Sequence, residues 1–135
     1  AVRIAIDAGE VARRHGYRGI AGVDIGEDGH GRLYAFDLNC RVNASTPQIL
    51  LHDTATARVG ARVTVSFSAT VPRRLGEALE RARPFAERGQ FIPIRLHDHT
   101  GLEKSRVTGF VAGRSVEEAE QLNVALTNAL MGSGR

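Results

Sequence analysis

The chain has 135 residues, a formal net charge of +3 at pH 7 and a hydrophobic fraction of 42%. This length and composition fit one folded domain or part of one, and they exclude a wholly disordered chain. No apolar run approaches the roughly 20 residues of a membrane helix. Scattered basic residues and few aromatics also argue against a nucleic-acid partner. A single cysteine, and the lack of a signal-peptide pattern at residues 1–7, favour the cytoplasm.

The first elements in the chain are a helix and a hairpin. Apolar residues recur with helical spacing over 4–15, and Gly16 is expected to end that helix. Its inward face would consist of Ile4, Ala8, Val11 and Ala12. Strands at about 18–25 and 32–39 follow, and the glycine-rich segment 26–31 between them predicts a hairpin turn.

A second helix and a long strand come next. Residues 43–47 have the composition of a helix start, with Pro47 in the first turn, and predict a short helix through Leu51. Residues 61–71 alternate between apolar and polar positions, as a half-buried strand does, and Pro72 would end that strand.

The last third predicts a helix, two strands and a final helix. The helix covers 75–88, a strand at 91–96 contains a proline that favours a sheet edge, and another strand covers 106–112. Ser115 and Glu118 form a capping box at the start of the last helix. The face of that helix toward the sheet would consist of Ala119, Leu122, Ala125, Leu126 and Ala129.

These elements predict an α+β fold, a mainly antiparallel sheet flanked by helices. Two parts are expected within it. Residues 1–60 would hold the hairpin and its flanking helices, and residues 61–135 a βαββα-like subdomain.

A group of polar side chains is predicted at the hairpin. Asp24 and Asp37 each end an apolar run, and a hairpin would set them near each other. Asp37, Asn39 and Arg41 alternate and so share one face, whereas Cys40 would turn away into the core. Two carboxylates and an amide oxygen suit Mg²⁺, and an arginine beside them suits a phosphate or a carboxylate. Exposed surface residues without a joint function are the alternative.

The hairpin resembles the metal-binding end of ATP-grasp ligases. The likeness rests on Gly19–Asp24, on Glu27-Asp28-Gly29, and on Asp37-Leu38-Asn39-Cys40-Arg41, which is similar to the acid-x-Asn-x-Arg signature of that family. Residues 107–119 are similar to the strand and helix that close several ATP-grasp enzymes. Segment 60–130 is most similar to peptide ligases of the pheganomycin type, from bacterial natural-product pathways.

The resemblance implies roles for four residues. Asp24, Asp37 and Asn39 would be ligands of Mg²⁺ (or Mn²⁺) that holds ATP, and Arg41 would be the catalytic residue that stabilises an acyl phosphate or its tetrahedral successor. The second acid is more often Glu in the family, so Asp37 is a departure that would shift the carboxylate by about one bond.

As a whole, the likeness implies an ATP-dependent ligase that joins a carboxylate to an amine through an acyl phosphate. Its substrates would be small molecules or peptides. The nucleotide-clamping lysines and glycine-rich loop of the family are not recognisable, so an upstream ATP-grasp subdomain is expected as a partner and the segment alone as inactive. The alternative is a non-catalytic α+β binding or oligomerisation module, and a homo-oligomer is left open.

A second polar motif, His97-Asp98-His99, lies before Thr100 and Gly101. In a strand, the two histidines would share a face and Asp98 would oppose them. The following residues favour a solvated turn, and a loop that contacts substrate is the functional alternative.

Overall fold

A computed structural model describes residues 1–132. These residues form four helices and two antiparallel sheets, one of two strands and one of three. This α+β architecture, with antiparallel strands flanked by helices, confirms the predicted fold class. None of the helices described is both long and apolar enough to cross a bilayer. In chain order the elements are α1 (Val2–Arg14), β1 (Gly22–Glu27), β2 (Leu33–Asn39), α2 (Thr46–Val59), β3 (Val63–Val71), α3 (Leu75–Glu87), β4 (Phe91–Asp98), β5 (Ser105–Gly113) and α4 (Val116–Met131).

The chain divides into two compact units between Thr46 and Pro47, whereas the sequence suggested a division after residue 60. Helix α2 accounts for the difference, because its side chains bond to β3. The Gln48 amide donates to the Thr64 carbonyl at 3.1 Å, and His52 Nδ1 lies 3.0 Å from Thr64 Oγ1. The predicted end of this helix at Leu51 is wrong. Polar contacts, and not an apolar stripe, attach this helix to the sheet. Hydrophobic periodicity in the sequence therefore does not reveal the length of the helix.

Unit 1 (residues 1–46) has a small core. Helix α1 contacts both strands of the hairpin, and Gly16 follows it with φ +89°, as the predicted helix end requires. Ala12 is the one buried apolar residue of this unit, all of which is described. Val11, which was expected on the same inward face, is 53% exposed.

Unit 2, from Pro47 onward, contains the main core. Its strand order is β3-β5-β4, so β4 lies at an edge, as Pro93 predicted. Helices α3 and α4 both contact this sheet. The rings of Phe67 and Phe91 meet edge to face, with centroids 5.5 Å apart. The other buried apolar residues of this core are Ala69, Val71, Ala78, Ala82, Val107, Val111, Ala119, Leu126 and Leu130.

The inward face of α4 differs in part from the prediction. Ala119 and Leu126 are fully buried as expected, but Ala125 is exposed and Leu130 is fully buried. Leu126 and Leu130 stand one helical turn apart and define the inward stripe. Ala125 precedes Leu126 by one residue and therefore lies about 100° around the helix, away from the sheet.

The start of α4 is capped by Ser115, as predicted. Its side chain accepts a hydrogen bond from the Glu118 backbone N–H at 3.2 Å. The Glu118 carboxylate accepts from the Arg114 backbone N–H at 2.6 Å and from the Arg114 guanidinium, so the capping box is displaced by one residue. The hydrogen bonds from the Arg114 side chain are the main cause that lowers the pKa of Glu118.

Replacing Ser115 by alanine is expected to lower the free energy of unfolding by about 1 kcal/mol, because the cap on the Glu118 N–H is lost. Urea denaturation followed by circular dichroism measures the change. Ser115→Asp keeps an acceptor and is expected to retain most of the stability. An equal loss in both variants would contradict the capping role.

Candidate functional site

The turn between β1 and β2 is organised by Asp28. Its Oδ1 accepts hydrogen bonds from the backbone N–H groups of His30 at 2.8 Å and Arg32 at 2.9 Å. Its Oδ2 accepts from Arg32 Nε at 3.0 Å and from the Tyr34 hydroxyl at 3.2 Å. These bonds, with the backbone bond from Arg32 first, lower the pKa of Asp28. The hairpin turn is as predicted, and an aspartate that opens a glycine-rich turn is the sequence signal for this role.

The register of the hairpin places the two predicted aspartates at directly paired positions. Asp24 pairs directly with Asp37, whereas the next residue, Ile25, pairs with Ala35. Phe36 is therefore an extra residue in β2, which makes a β-bulge. Without that bulge, the register that begins at Glu27 and Leu33 would set Phe36, not Asp37, opposite Asp24. The sequence analysis did not predict this bulge, because the sequence carries no local signal for it.

This pairing leaves two carboxylates of like charge at directly opposed positions. Both Asp24 and Asp37 are exposed, and neither forms an ion pair within residues 1–132. Like charges at directly opposed sites of an antiparallel pair are destabilising. A bound cation would remove that repulsion.

Asn39 and Arg41 extend the Asp37 side of the site. Asn39 Nδ2 donates to Asp37 Oδ2 at 2.8 Å, and Arg41 Nη2 donates to Asn39 Oδ1 at 2.8 Å. Arg41 lies beyond the end of β2, and its Nη1 also donates to the Val42 carbonyl at 3.4 Å. The structure thus joins three of the four predicted site residues in one hydrogen-bonded row, and the fourth, Asp24, faces the first of them.

The donor set fits a hard divalent cation in its chemistry, since it consists of carboxylate and amide oxygens. The orientation of the Asn39 amide, however, differs from that of a metal ligand. Its N–H group faces Asp37 and its oxygen faces Arg41. To offer its oxygen beside Asp37, the amide must turn over and release Arg41. Arg41 would then be free to bind an anion.

The environment of Cys40 differs from the prediction. The thiol was expected to point into the core, but Cys40 is exposed. Strand β2 ends at Asn39, so the alternation that assigned Cys40 to the inner face stops one residue before it.

The His97-Asp98-His99 motif is also placed differently from the expected turn. Strand β4 continues through Asp98, and His97 pairs with Arg106 of β5. Both histidines are half-buried. Asp98 Oδ1 accepts from the Leu75 backbone N–H at 2.7 Å and so caps α3 from the neighbouring strand. The solvated turn begins only after the motif.

Comparison with known proteins gives no further guide, because no family model and no curated protein matches this chain. Within residues 1–132, no group of three or more His, Cys, Asp and Glu side chains could hold a metal ion. The hairpin set has two such side chains, Asp24 and Asp37, and completes its donors with the Asn39 amide.

Proposed function

We propose that the chain supplies the metal-binding part of an ATP-grasp ligase that joins a carboxylate to an amine. The single observation that carries this proposal is the direct pairing of Asp24 with Asp37, with Asn39 bonded to the second carboxylate. Two carboxylates at directly opposed positions destabilise the hairpin unless a cation neutralises their charge. The acid-x-Asn-x-Arg pattern at residues 37–41 supports the same assignment. Such a ligase would use cytoplasmic ATP, and a peptide or small acid as substrate.

In this proposal Asp24, Asp37 and Asn39 would hold Mg²⁺, which would supply charge neutralisation to phosphate oxygens in phosphoryl transfer. Arg41 has a separate task. Its guanidinium is exposed and lies one hydrogen bond from Asn39. Once the Asn39 amide turns toward the cation, Arg41 can donate two N–H groups to the phosphate or carboxylate of the activated acid. The same row of residues therefore couples cation binding to anion binding.

The test is Mn²⁺ binding by the 135-residue chain, followed by electron paramagnetic resonance. Saturable binding is expected, with at least tenfold loss of affinity in Asp37→Asn, because one of the two charged ligands is removed. Asp53→Asn is the matched control. Asp53 is exposed on α2 in unit 2, so this variant changes the net charge equally without touching the hairpin.

A second variant, Arg41→Gln, tests the same site. It removes a positive charge beside the cation and frees Asn39 Oδ1, so Mn²⁺ affinity is expected to rise. Equal Mn²⁺ affinity in the parent chain, Asp37→Asn and Asp53→Asn would contradict the proposed metal site at the hairpin.

The second candidate is a non-catalytic binding or oligomerisation module, and the exposed apolar surface of unit 1 favours it. Phe36, the bulged residue, is 74% exposed, and Val2 and Ile6 of α1 are 75% and 59% exposed. Sedimentation velocity separates the two candidates. Concentration-dependent association that Phe36→Ser abolishes, without any Mn²⁺ binding, supports the module.

A further inference from the structure

One face of the three-stranded sheet carries cationic and hydroxyl side chains together. Strand pairing sets His97 opposite Arg106 and Arg95 opposite Thr108. On the other side of β5, Thr70 pairs with Arg106 and Ser68 with Thr108. Directly paired residues point to the same side of a sheet. We call this surface the basic face, and it consists of Ser68, Thr70, Arg95, His97, Arg106 and Thr108.

Arg106 is held in place on the basic face by two hydroxyl groups. Its Nη1 donates to Thr70 Oγ1 at 2.9 Å and its Nη2 to Ser68 Oγ at 2.8 Å. A guanidinium has five N–H donors, so three remain for a ligand. Within residues 1–132 neither Arg106 nor Arg95 forms an ion pair with a carboxylate. The two positive charges are therefore uncompensated.

His97 in β4 and His99, just beyond the end of β4, extend this face. Their rings meet edge to face with centroids 5.4 Å apart. His97 Nδ1 and His99 Nε2 are buried and have no hydrogen-bond partner within the described residues. A buried N–H without a partner is costlier than a buried lone pair. A ring that carries one proton is therefore more stable with that proton on the other nitrogen, His97 Nε2 or His99 Nδ1, and these are the donor atoms that the two rings offer.

We propose that the basic face binds a phosphate monoester group. Two arginines and two imidazole N–H groups offer donors from several directions to a dianion with three terminal oxygens. Cationic neighbours oppose a metal ion there, and Asp98 is committed to the Leu75 N–H. Phe110, which lies on this side of the sheet, is fully buried, so its ring offers no stacking platform to bases. The ligand is thus a discrete phosphate group.

The test is a titration of the ¹⁵N-labelled chain with inorganic phosphate and with phosphoserine, followed by amide chemical shifts at pH 7. Saturable shifts are expected at His97, Arg106 and Thr108, with a Kd on the order of 1 mM. Acetate at equal ionic strength is expected to bind at least tenfold more weakly. Arg106→Gln is expected to raise the Kd for phosphate at least tenfold, and Arg95→Gln to raise it less. Arg83→Gln is the matched control, because Arg83 lies exposed on α3 and pairs with Glu80.

Four results would overturn the proposal. They are the absence of saturable shifts on the basic face, an unchanged Kd in Arg106→Gln with a native amide spectrum, equimolar Zn²⁺ binding to the His97 and His99 rings, and an oligonucleotide that binds at least tenfold more tightly than phosphoserine. These measurements concern unit 2, so they succeed or fail independently of Mn²⁺ binding at the hairpin.

Discussion

Replacing Asn39 by alanine is expected to lower ATP-dependent amide formation by the proposed ligase on the order of 10³-fold, which corresponds to about 4 kcal/mol of transition-state stabilisation. The variant removes one oxygen ligand and breaks the row that links Asp37 to Arg41. The measurement is ADP release at saturating ATP and Mg²⁺, in a protein that also carries the nucleotide-binding subdomain, with hydroxylamine as a trap for the activated acid.

The matched control for this prediction is Asn128→Ala, the same chemical change on an exposed position of α4. It is expected to keep full activity. Because Asn39 is near the end of a hairpin strand and only half-buried, both variants should retain the circular dichroism of the parent. Turnover of Asn39→Ala within about threefold of the parent would rule out a metal-ligating role for the amide.

Replacing Gly109 by alanine is expected to destabilise the chain by about 3 kcal/mol and to lower the Tm of unit 2 by about 10–20 °C. Gly109 lies in β5, the central strand, and pairs with Phe67 and Pro93. A Cβ at this position would lie 2.2 Å from the Ile92 carbonyl oxygen and 2.8 Å from Phe91 Cε2. The first of these atoms is backbone, so relief requires the edge strand β4 to move.

Differential scanning calorimetry measures the effect, and Gly76→Ala is the control. Gly76 lies in α3 with open space around its Cα, so alanine should be neutral or stabilise the chain by up to about 1 kcal/mol. Equal Tm values for the two variants would show that the close approach at Gly109 does not constrain the sheet.

Several elements follow directly from local sequence pattern. The strand predicted at 106–112 is β5, and the structure extends that strand by only one residue at each end. The amphipathic run from Leu75 predicted α3, with Gly89 at φ +69° just beyond its end. Ser115 was predicted as a cap from its own residue type and from Glu118 three residues later. In each case the signal lies within a few residues of the feature it predicts.

Other features depend on partners that are distant in sequence. His97 and Asp98 belong to a strand because they pair with Arg106 and Ser105 of β5. The nearby Thr100 and Gly101 wrongly indicated a turn at these positions. Helix α2 continues beyond its predicted end at Leu51, because Gln48 and His52 form hydrogen bonds with Thr64. These contacts have no periodic signal in the sequence.

The sequence by itself determined the order of helices and strands, the α+β class and the two-residue spacing that sets Asp37 and Asn39 on one side of β2. Only the tertiary structure decided that Asp24 stands opposite Asp37, because cross-strand register depends on the Asp28 turn and on the bulge at Phe36. Only the tertiary structure, likewise, gathered Arg95, His97 and Arg106 on one face. Local propensity acts through neighbouring residues, whereas register and packing act through contacts across the fold.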